Sequence, residues 1–224
     1  MSFYRDTQPK QAYNVITRID VPELEELVNT LLTQWGIVFQ AGSDNDLQID
    51  FESDSHEMVL RLQEKESERI PVPLNLESLW LCLQRHLFDP PREHYRIPLR
   101  VRGTLHHVQQ REDFLSLSLS DAGLRFEFPR ELIRNESVRI ELPLGAEKLD
   151  IEGKVIYCVP TRSSNRMIIG VVFDHHQGEI REILRSYLVE KTLLQTRNKL
   201  EAARFEKALE YLSLHDLSRN RLLR

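Results

Sequence analysis

The sequence has few of the residues that stabilise disulfide-rich proteins and none of the segments that cross membranes. Its 224 residues include two cysteines, Cys82 and Cys158, which lie far apart and lack the spacing of a metal site. We therefore expect two buried thiols in a reducing compartment. No apolar run approaches the roughly 20 residues that a membrane helix needs, so no membrane span is expected.

Signals for export and for catalysis are also absent from the sequence. Residues 1–10 are polar and lack the apolar core of a signal peptide, which predicts a cytoplasmic protein. There is no glycine-rich phosphate loop and no Gly-x-Ser-x-Gly nucleophile motif. The adjacent pairs His106-His107 and His175-His176 would point to opposite faces of a strand, so neither pair is expected to hold a metal ion. We predict no enzyme activity, no catalytic residue, no metal site and no cofactor.

The charge is distributed unevenly along the chain. Counting Lys, Arg, Asp and Glu, residues 1–91 carry a net −9 and residues 92–224 a net +4, which gives −5 for the whole chain. Because DNA binding needs a broad basic face, the acidic first part opposes it. The basic second part remains suited to a small anionic ligand.

Residues 1–88 are predicted to form a small α+β module. Apolar residues recur at helical spacing between Leu24 and Leu32 and again between Leu76 and Leu87. Residues 1–19 carry little pattern. Three segments alternate as strands do, at 37–40, 47–51 and 57–63.

Asp89-Pro90-Pro91 marks a domain boundary, because adjacent prolines cannot continue a helix. Beyond it the apolar period becomes two, and turn residues separate the segments. Residues 89–175 are therefore predicted to form a small six-stranded antiparallel barrel or sandwich. The predicted strands are 95–106, 113–118, 124–128, 138–142, 149–159 and 167–173.

Residues 176–224 are predicted to form a helical extension. From Glu179 the apolar period returns to that of a helix, which is expected to run past thirty residues to about Leu212. The stretch from Leu193 to Leu212 is longer than a small barrel can cover. We expect its apolar side chains to pack either on the N-terminal module or on a second chain, which would make a homo-oligomer.

Two clusters of polar residues flank the start of the barrel. Arg92 and Arg96 are four residues apart, and a guanidinium can bind phosphate oxygens or the O6/N7 edge of guanine. Ser118 and Ser120 should share one face of a strand end, where Gly123 permits a positive φ and a close backbone approach. The alternative is that the arginines are solvated connector charges and the Ser-Gly segment is an ordinary turn.

Together, Arg-x-x-x-Arg at 92–96 and x-x-Ser-x-x-Gly at 118–123 resemble the PilZ domain family over about residues 90–190. Gly153-Lys154-Val155 and the segment 169–173 also fit that family. The resemblance implies a six-stranded barrel followed by a helix, and the preceding module is similar to the arrangement in YcgR-like flagellar brake proteins. It also implies binding of cyclic di-GMP at a site formed by Arg92, Arg96, Ser118, Ser120 and Gly123.

The sequence departs from the family pattern at Ser118, where the family has Asp or Asn, and at Pro91, where many members have a basic residue. The implied function is a cyclic di-GMP effector that acts on an unidentified protein partner, with motility or biofilm formation as the output. Ser118 favours a first alternative, a degenerate PilZ protein that acts only as an interaction scaffold. A second alternative is an oligonucleotide-binding barrel, which the acidic first part of the chain opposes.

Overall fold

A computed structural model describes residues 14–37, 46–62, 65–108, 110–145, 147–161, 165–174, 178–214 and 221–222. The predicted strand residues 38–40 and the pair His175-His176 lie outside the described residues. Within the described ranges, no helix is long and apolar enough to cross a membrane. Contact clustering divides the chain into two compact units, one formed by residues 94–188 and the other by residues 2–93 together with 189–224.

The N-terminal unit contains a four-stranded sheet with helices packed against it. Its elements are β1 (Asn14–Ile19), α1 (Pro22–Gln34), β2 (Asp46–Phe51), β3 (Glu57–Leu62), β4 (Lys65–Pro71) and α2 (Leu76–Leu87). Strand β1 is parallel to β2 and is joined to it through α1, whereas the other neighbours in the order β1-β2-β3-β4 are antiparallel.

Two of these strands were not predicted from the sequence. Strand β1 falls in the segment that carries little pattern, and it gains its partner only through the parallel pairing with β2. Strand β4 lies at the edge of the sheet, and its sequence is rich in charged residues and has no apolar alternation. The two predicted helices and the strands at 47–51 and 57–62 are confirmed.

The C-terminal segment is not one helix that reaches Leu212, as the sequence predicted. Helix α3 (Gly178–Arg197) ends in a turn, α4 (Ala202–Ala208) follows, and a 3-10 turn closes the segment at Leu209–Tyr211. At the break, the Lys199 amide donates to the Thr196 carbonyl and Glu201 is extended. After the break, Phe205, Ala208 and Leu209 are buried, whereas residues 201–204 are exposed.

The apolar side chains after the break pack in the core of the N-terminal unit, which was one of the two predicted options. Phe205, Ala208 and Leu209 are buried in one cluster with the apolar faces of α1 and α2. Arg204 and Lys207 of α4 pair with Glu26 and Glu23 of α1 at 2.9 and 3.1 Å. The C-terminal segment thus completes the same core that the first 88 residues begin.

The second unit contains the predicted six-stranded antiparallel barrel. The strands of this unit are β5 (Arg96–Pro98), β6 (Arg102–His107), β7 (Gln110–Ser120), β8 (Gly123–Phe128), β9 (Ser137–Leu144), β10 (Glu147–Pro160) and β11 (Met167–Phe173). The six barrel strands follow the order β7-β6-β9-β10-β11-β8, and a further pairing of β8 with β7 closes the barrel. The short strand β5 also pairs with β7.

The predicted first strand, 95–106, is interrupted and forms both β5 and β6, which pair with the two halves of β7. Pro98 has no amide hydrogen to continue the ladder. In the gap, the buried Ser116 hydroxyl accepts a hydrogen bond from the Val101 amide at 2.7 Å and donates to the Leu99 carbonyl. Backbone bonds from Ser116 N to Val101 O at 2.9 Å and from Leu99 N to Leu117 O at 3.3 Å also cross the gap, so the Ser116 hydroxyl supplements the interrupted ladder.

A β-bulge at Leu117 interrupts the pairing of β7 with β8. Ser116 faces Phe126 and Ser118 faces Arg125, so Leu117 is the extra residue. Before the bulge the buried positions are Phe114 and Ser116, and after it Leu119 is buried. The parity of the buried face therefore changes within this strand.

The compact units are divided after Glu93 and after Leu188, whereas the predicted domain bounds fall after residues 88 and 175. The predicted bounds stay predictions. The second division falls inside α3, whose first residues belong to the barrel unit.

The two cysteines lie in different environments. Both are free thiols; Cys82 is buried, as predicted, and Cys158 is only half-buried, which corrects the prediction. Burial, together with the neighbouring carboxylate of Glu68, raises the pKa of the Cys82 thiol to about 12.

Candidate functional site

Arg96 lies across two serines at the end of β7, and we call these three residues the Arg96 platform. The pairing of β5 with β7 sets Arg96 opposite Ser120 and Pro98 opposite Ser118. The Arg96 guanidinium donates through Nη1 to Ser118 Oγ and through Nη2 to Ser120 Oγ, both at 3.3 Å. The predicted common face of the two serines is therefore confirmed.

The hydrogen bonds in the Arg96 platform are long and have neutral acceptors. Ordinary N–H···O bonds are about 2.9–3.0 Å long, and bonds to charged acceptors are shorter and roughly twice as strong. Arg96 and Ser118 are half-buried, whereas Ser120 is fully buried and donates to the Gly123 carbonyl at 3.0 Å. The Ser120 hydroxyl is thus held in place by its own hydrogen bond. The Arg96 guanidinium can exchange the two hydroxyls for a charged acceptor.

Gly123 begins β8, where it faces Val172 of β11. A Cβ at this position would lie 2.4 Å from the Val171 carbonyl oxygen, so the two backbones approach too closely for any side chain. The predicted close approach is confirmed. Gly123 does not adopt the positive φ that a glycine permits, which among the described glycines occurs only at Gly36 and Gly145.

Arg92 precedes the division between the compact units, and it belongs to the unit that contains residues 2–93. Its backbone amide donates to Gln84 Oε1 at 3.4 Å, and its side chain is half-buried. The structure therefore brings together Arg96, Ser118, Ser120 and Gly123 within the barrel unit. The role of Arg92 stays a prediction.

A buried carboxylate next to the platform was missed in the sequence. The side chain of Asp121, in the turn between β7 and β8, has 0% exposure. Its Oδ2 accepts hydrogen bonds from Arg181 Nε at 2.7 Å and from Arg185 Nε at 3.0 Å, one helical turn apart on α3. His94 Nδ1 lies 3.1 Å from Oδ1. We call Asp121, Arg181, Arg185 and His94 the Asp121 cluster.

The charge balance of the Asp121 cluster favours the ionised carboxylate. Burial raises the pKa of Asp121, but hydrogen bonds from Arg181 and Arg185 and the attraction of His94 outweigh it, and the pKa lies below its usual value. The cluster therefore ties the start of α3 and the segment before β5 to the turn that carries the Ser-x-x-Gly motif.

Two features of the sequence concern residues of this cluster, but they do not relate the carboxylate to its arginines. Asp121 and His94 occupy variable positions inside the two motifs, and Arg181 and Arg185 are spaced to share one helix face. No local pattern relates Asp121 to arginines that lie 60 and 64 residues later in the chain.

The adjacent His106 and His107 face different carboxylates. His106 Nε2 lies 3.1 Å from Glu141 Oε1, and His107 Nε2 lies 2.5 Å from Glu136 Oε1. The prediction that neighbouring strand residues point apart is therefore confirmed for this pair.

Comparison with known proteins gives one family match, which covers part of the chain. The family model described as PilZ domain matches residues 90–190. No curated protein matches the sequence.

Three solved structures are similar to the chain at low identity. The inhibitor of motility MotI/DgrA from Bacillus subtilis is 15% identical, with 66% of this chain and 65% of that chain covered and a TM-score of 0.42. The PilZ domain of YcgR from Escherichia coli, with c-di-GMP, is 15% identical, with 48% and 95% covered and a TM-score of 0.40. The K. pneumonia MrkH–c-di-GMP complex is 13% identical, with 67% and 76% covered and a TM-score of 0.42. The chain thus spans less than two thirds of the Bacillus protein.

The matched range begins at the double proline and includes the whole barrel, both motifs and the first part of α3. The structure brings together four of the five positions that the resemblance implied, and their role as a ligand site stays a prediction, as does that of Arg92. We conclude that residues 90–190, the barrel with the first part of α3, match the PilZ domain family.

Proposed function

We propose that the protein is a non-enzymatic cytoplasmic receptor of cyclic di-GMP that passes the ligand signal to a protein partner. The observation that carries the proposal is the Arg96 platform, in which an arginine lies over Ser118 and Ser120 at the motif positions of a PilZ domain. No cofactor is proposed for this activity.

The platform offers the groups that a cyclic dinucleotide needs. A guanidinium binds a phosphate through two parallel bonds, or binds the O6/N7 edge of guanine, and it also stacks on a base. The Ser118 hydroxyl can donate to or accept from the ligand. A phosphate acceptor would replace two 3.3 Å bonds to neutral hydroxyls with charge-assisted bonds, which gives the arginine a reason to leave its resting position.

Isothermal titration of the full chain with cyclic di-GMP tests the proposal. We expect micromolar or tighter affinity, about −8 kcal/mol or stronger. Arg92→Ala and Arg96→Ala should each weaken binding by about 1.5 kcal/mol or more, because each removes a charge-assisted hydrogen bond. Arg100→Ala is the matched control, since Arg100 is an exposed arginine just after β5 and lies outside both motifs.

Equal binding by the parent and both motif variants would show that the site is elsewhere. No binding by the parent would favour the second candidate function, an interaction scaffold without a ligand. The observation in favour of the scaffold is Ser118, which replaces the Asp or Asn of the family and fills its place with a hydroxyl that Arg96 already contacts.

Coupling to a partner is proposed to run through the connector at Pro90 and Pro91. The division between the compact units falls inside the Arg-x-x-x-Arg segment, between Glu93 and His94. Ligand binding at Arg96 would fix the direction in which this stiff connector leaves the barrel. Small-angle scattering with and without saturating cyclic di-GMP should show a change that replacement of both prolines by glycine reduces. An unchanged scattering curve would reject the coupling while leaving the ligand site intact.

A further inference from the structure

Three side chains that bind metals meet between β4 and α2 in the N-terminal unit. Glu68 lies on β4, and Cys82 and His86 are one helical turn apart on α2. One carboxylate oxygen, the thiol sulfur and one ring nitrogen all lie within 4.8 Å of one another. In the part of the chain that the structure describes, this is the one group with such a ligand arrangement.

The spacing of these atoms fits a tetrahedral ion. His86 Nε2 lies 3.3 Å from Glu68 Oε2. In tetrahedral zinc sites the metal lies about 2.0–2.2 Å from nitrogen and oxygen ligands, which sets those two ligand atoms roughly 3.4 Å apart. A tetrahedral ion therefore requires little movement of His86 and Glu68.

Burial also suits a site with one open position. Cys82 is buried on the core side, whereas the side chains of His86 and Glu68 are about one-third exposed, at 34% and 33%. An ion could therefore enter from the surface, bind the thiolate at the base of the site and keep one water molecule on the solvent side.

Two groups compete with a cation at this place: the thiol proton of Cys82, whose pKa is raised to about 12, and the guanidinium of Arg85. Its Nη2 lies 2.5 Å from Glu68 Oε1, so it holds the other oxygen of the same carboxylate. The arginine side chain is 53% exposed and can turn into solvent. It leaves Oε2, the oxygen nearest to His86, for the ion.

We propose that Glu68, Cys82 and His86 bind one divalent ion of the zinc class, with water as the fourth ligand. Thiolate and imidazole together select zinc over magnesium or calcium, which prefer oxygen ligands. On binding, the thiol proton leaves to solvent as the sulfur–metal bond forms. The ion would fasten β4 to α2, and the proposal is independent of cyclic di-GMP binding.

The prediction of no metal site rested on the adjacent histidine pairs and on the wide separation of the cysteines. The sequence does not show that β4 packs beside α2. It therefore gave no reason to combine the Cys-x-x-x-His segment on one helix face with a third ligand from a strand.

The test uses the full chain, treated with a chelator, desalted and titrated with Zn²⁺ or Co²⁺. We expect one ion per chain, and the Co²⁺ form should show the near-ultraviolet charge-transfer band of a thiolate ligand and the intense visible bands of a tetrahedral site. Binding of Co²⁺ to the parent protein without a thiolate band, or no retained Zn²⁺ after desalting, would overturn the proposal. These two readouts need no variant, so they decide the question even if a variant fails to fold.

Variants then assign the ligands. Cys82→Ser and His86→Gln should each weaken Zn²⁺ binding about tenfold or more and, for Cys82→Ser, remove the charge-transfer band. Cys158→Ser is the matched control, because it removes the other thiol, and it should leave stoichiometry and spectrum unchanged. Loss of the band in Cys158→Ser with retention in Cys82→Ser would contradict the assignment.

Discussion

Two adjacent residues, Ser120 and Asp121, belong to two arginine sites with opposite properties. In the Arg96 platform the guanidinium donates to neutral hydroxyls at 3.3 Å. In the Asp121 cluster two guanidinium groups donate to one buried carboxylate at 2.7 and 3.0 Å. The first site has an arginine whose bonds improve when an anion arrives, whereas the second already contains its anion.

The comparison shows that the acceptor decides what an arginine does. A charge-assisted bond to a buried carboxylate holds α3 in place, and an added phosphate would gain little by competing with it. The bonds from Arg96 to Ser118 and Ser120 have neutral acceptors, so a phosphate would compete with them more readily than with bonds to a buried carboxylate. We therefore propose ligand binding for the Arg96 platform and a structural role in the barrel unit for the Asp121 cluster.

Removal of the buried carboxylate should have the largest effect. Asp121→Ala is expected to lower the free energy of unfolding by roughly 2–4 kcal/mol, because Arg181, Arg185 and His94 lose their common partner. Urea unfolding measures this change, and Asp113→Ala, which removes an exposed carboxylate from the preceding strand β7, should change the free energy of unfolding by less than about 0.5 kcal/mol. Equal effects of the two variants would show that the cluster does not hold the fold.

Gly123→Ala tests the backbone on which both sites rest. The added Cβ would lie 2.4 Å from the Val171 carbonyl, so β8 and β11 must separate, at a cost of about 1–3 kcal/mol in unfolding free energy. In Gly178→Ala the new Cβ meets nothing within 4 Å, so thermal unfolding should be nearly unchanged. A tolerated Gly123→Ala would mean that the two strands are less closely packed than described.

The acid dependence of stability should separate the two sites further. The pKa of Asp121 is lower in the folded protein than its ordinary value of 3.8, so its contribution is complete above that value and is lost as the pH falls through the lower folded value. We expect the stability difference between the parent and Asp121→Asn to be constant from neutral pH to about pH 5 and to shrink below about pH 4. Arg96→Ala, followed by the same denaturant titrations, should show no such acid-dependent difference. A difference that persists undiminished at the lowest pH would argue against the ionised carboxylate.

Ser118→Asp and Ser118→Asn bring the platform closer to the family pattern, and they should have the smallest effect. If serine limits the affinity for cyclic di-GMP, both variants should tighten binding by about 1 kcal/mol, the usual value of one hydrogen bond. The measurement is the same titration as for Arg96→Ala. Unchanged or weaker binding in both variants would show that the site is adjusted to serine.

The barrel was predictable because apolar and polar residues alternate along its strands and because its motifs lie at strand ends. Ser118 and Ser120 could be set on one face by parity alone, and Arg96 begins a strand that pairs beside them. The Asp121 cluster was not predictable, since it depends on α3 docking against a turn some sixty residues earlier in the chain. The end of α3 at Arg197 was missed because Leu193 and Leu200, seven residues apart, and Leu194 and Phe205, eleven residues apart, keep helical spacing across the break.

The bulge at Leu117 makes the site depend on how β7 pairs with β8 as well as on the sequence motif. Phe114 and Ser116 precede the bulge, and the parity of the buried face changes after it. Because Leu117 is the extra residue, its deletion would restore one-to-one pairing and would keep Ser118 and Ser120 on their present face. One residue inserted between Arg125 and Phe126 of β8 would instead pair with Leu117, remove the bulge and turn Ser118 and Ser120 toward the side of Phe114, away from Arg96. A chain that keeps every residue of the motif could therefore lose the proposed ligand site through a single insertion that a motif search does not detect.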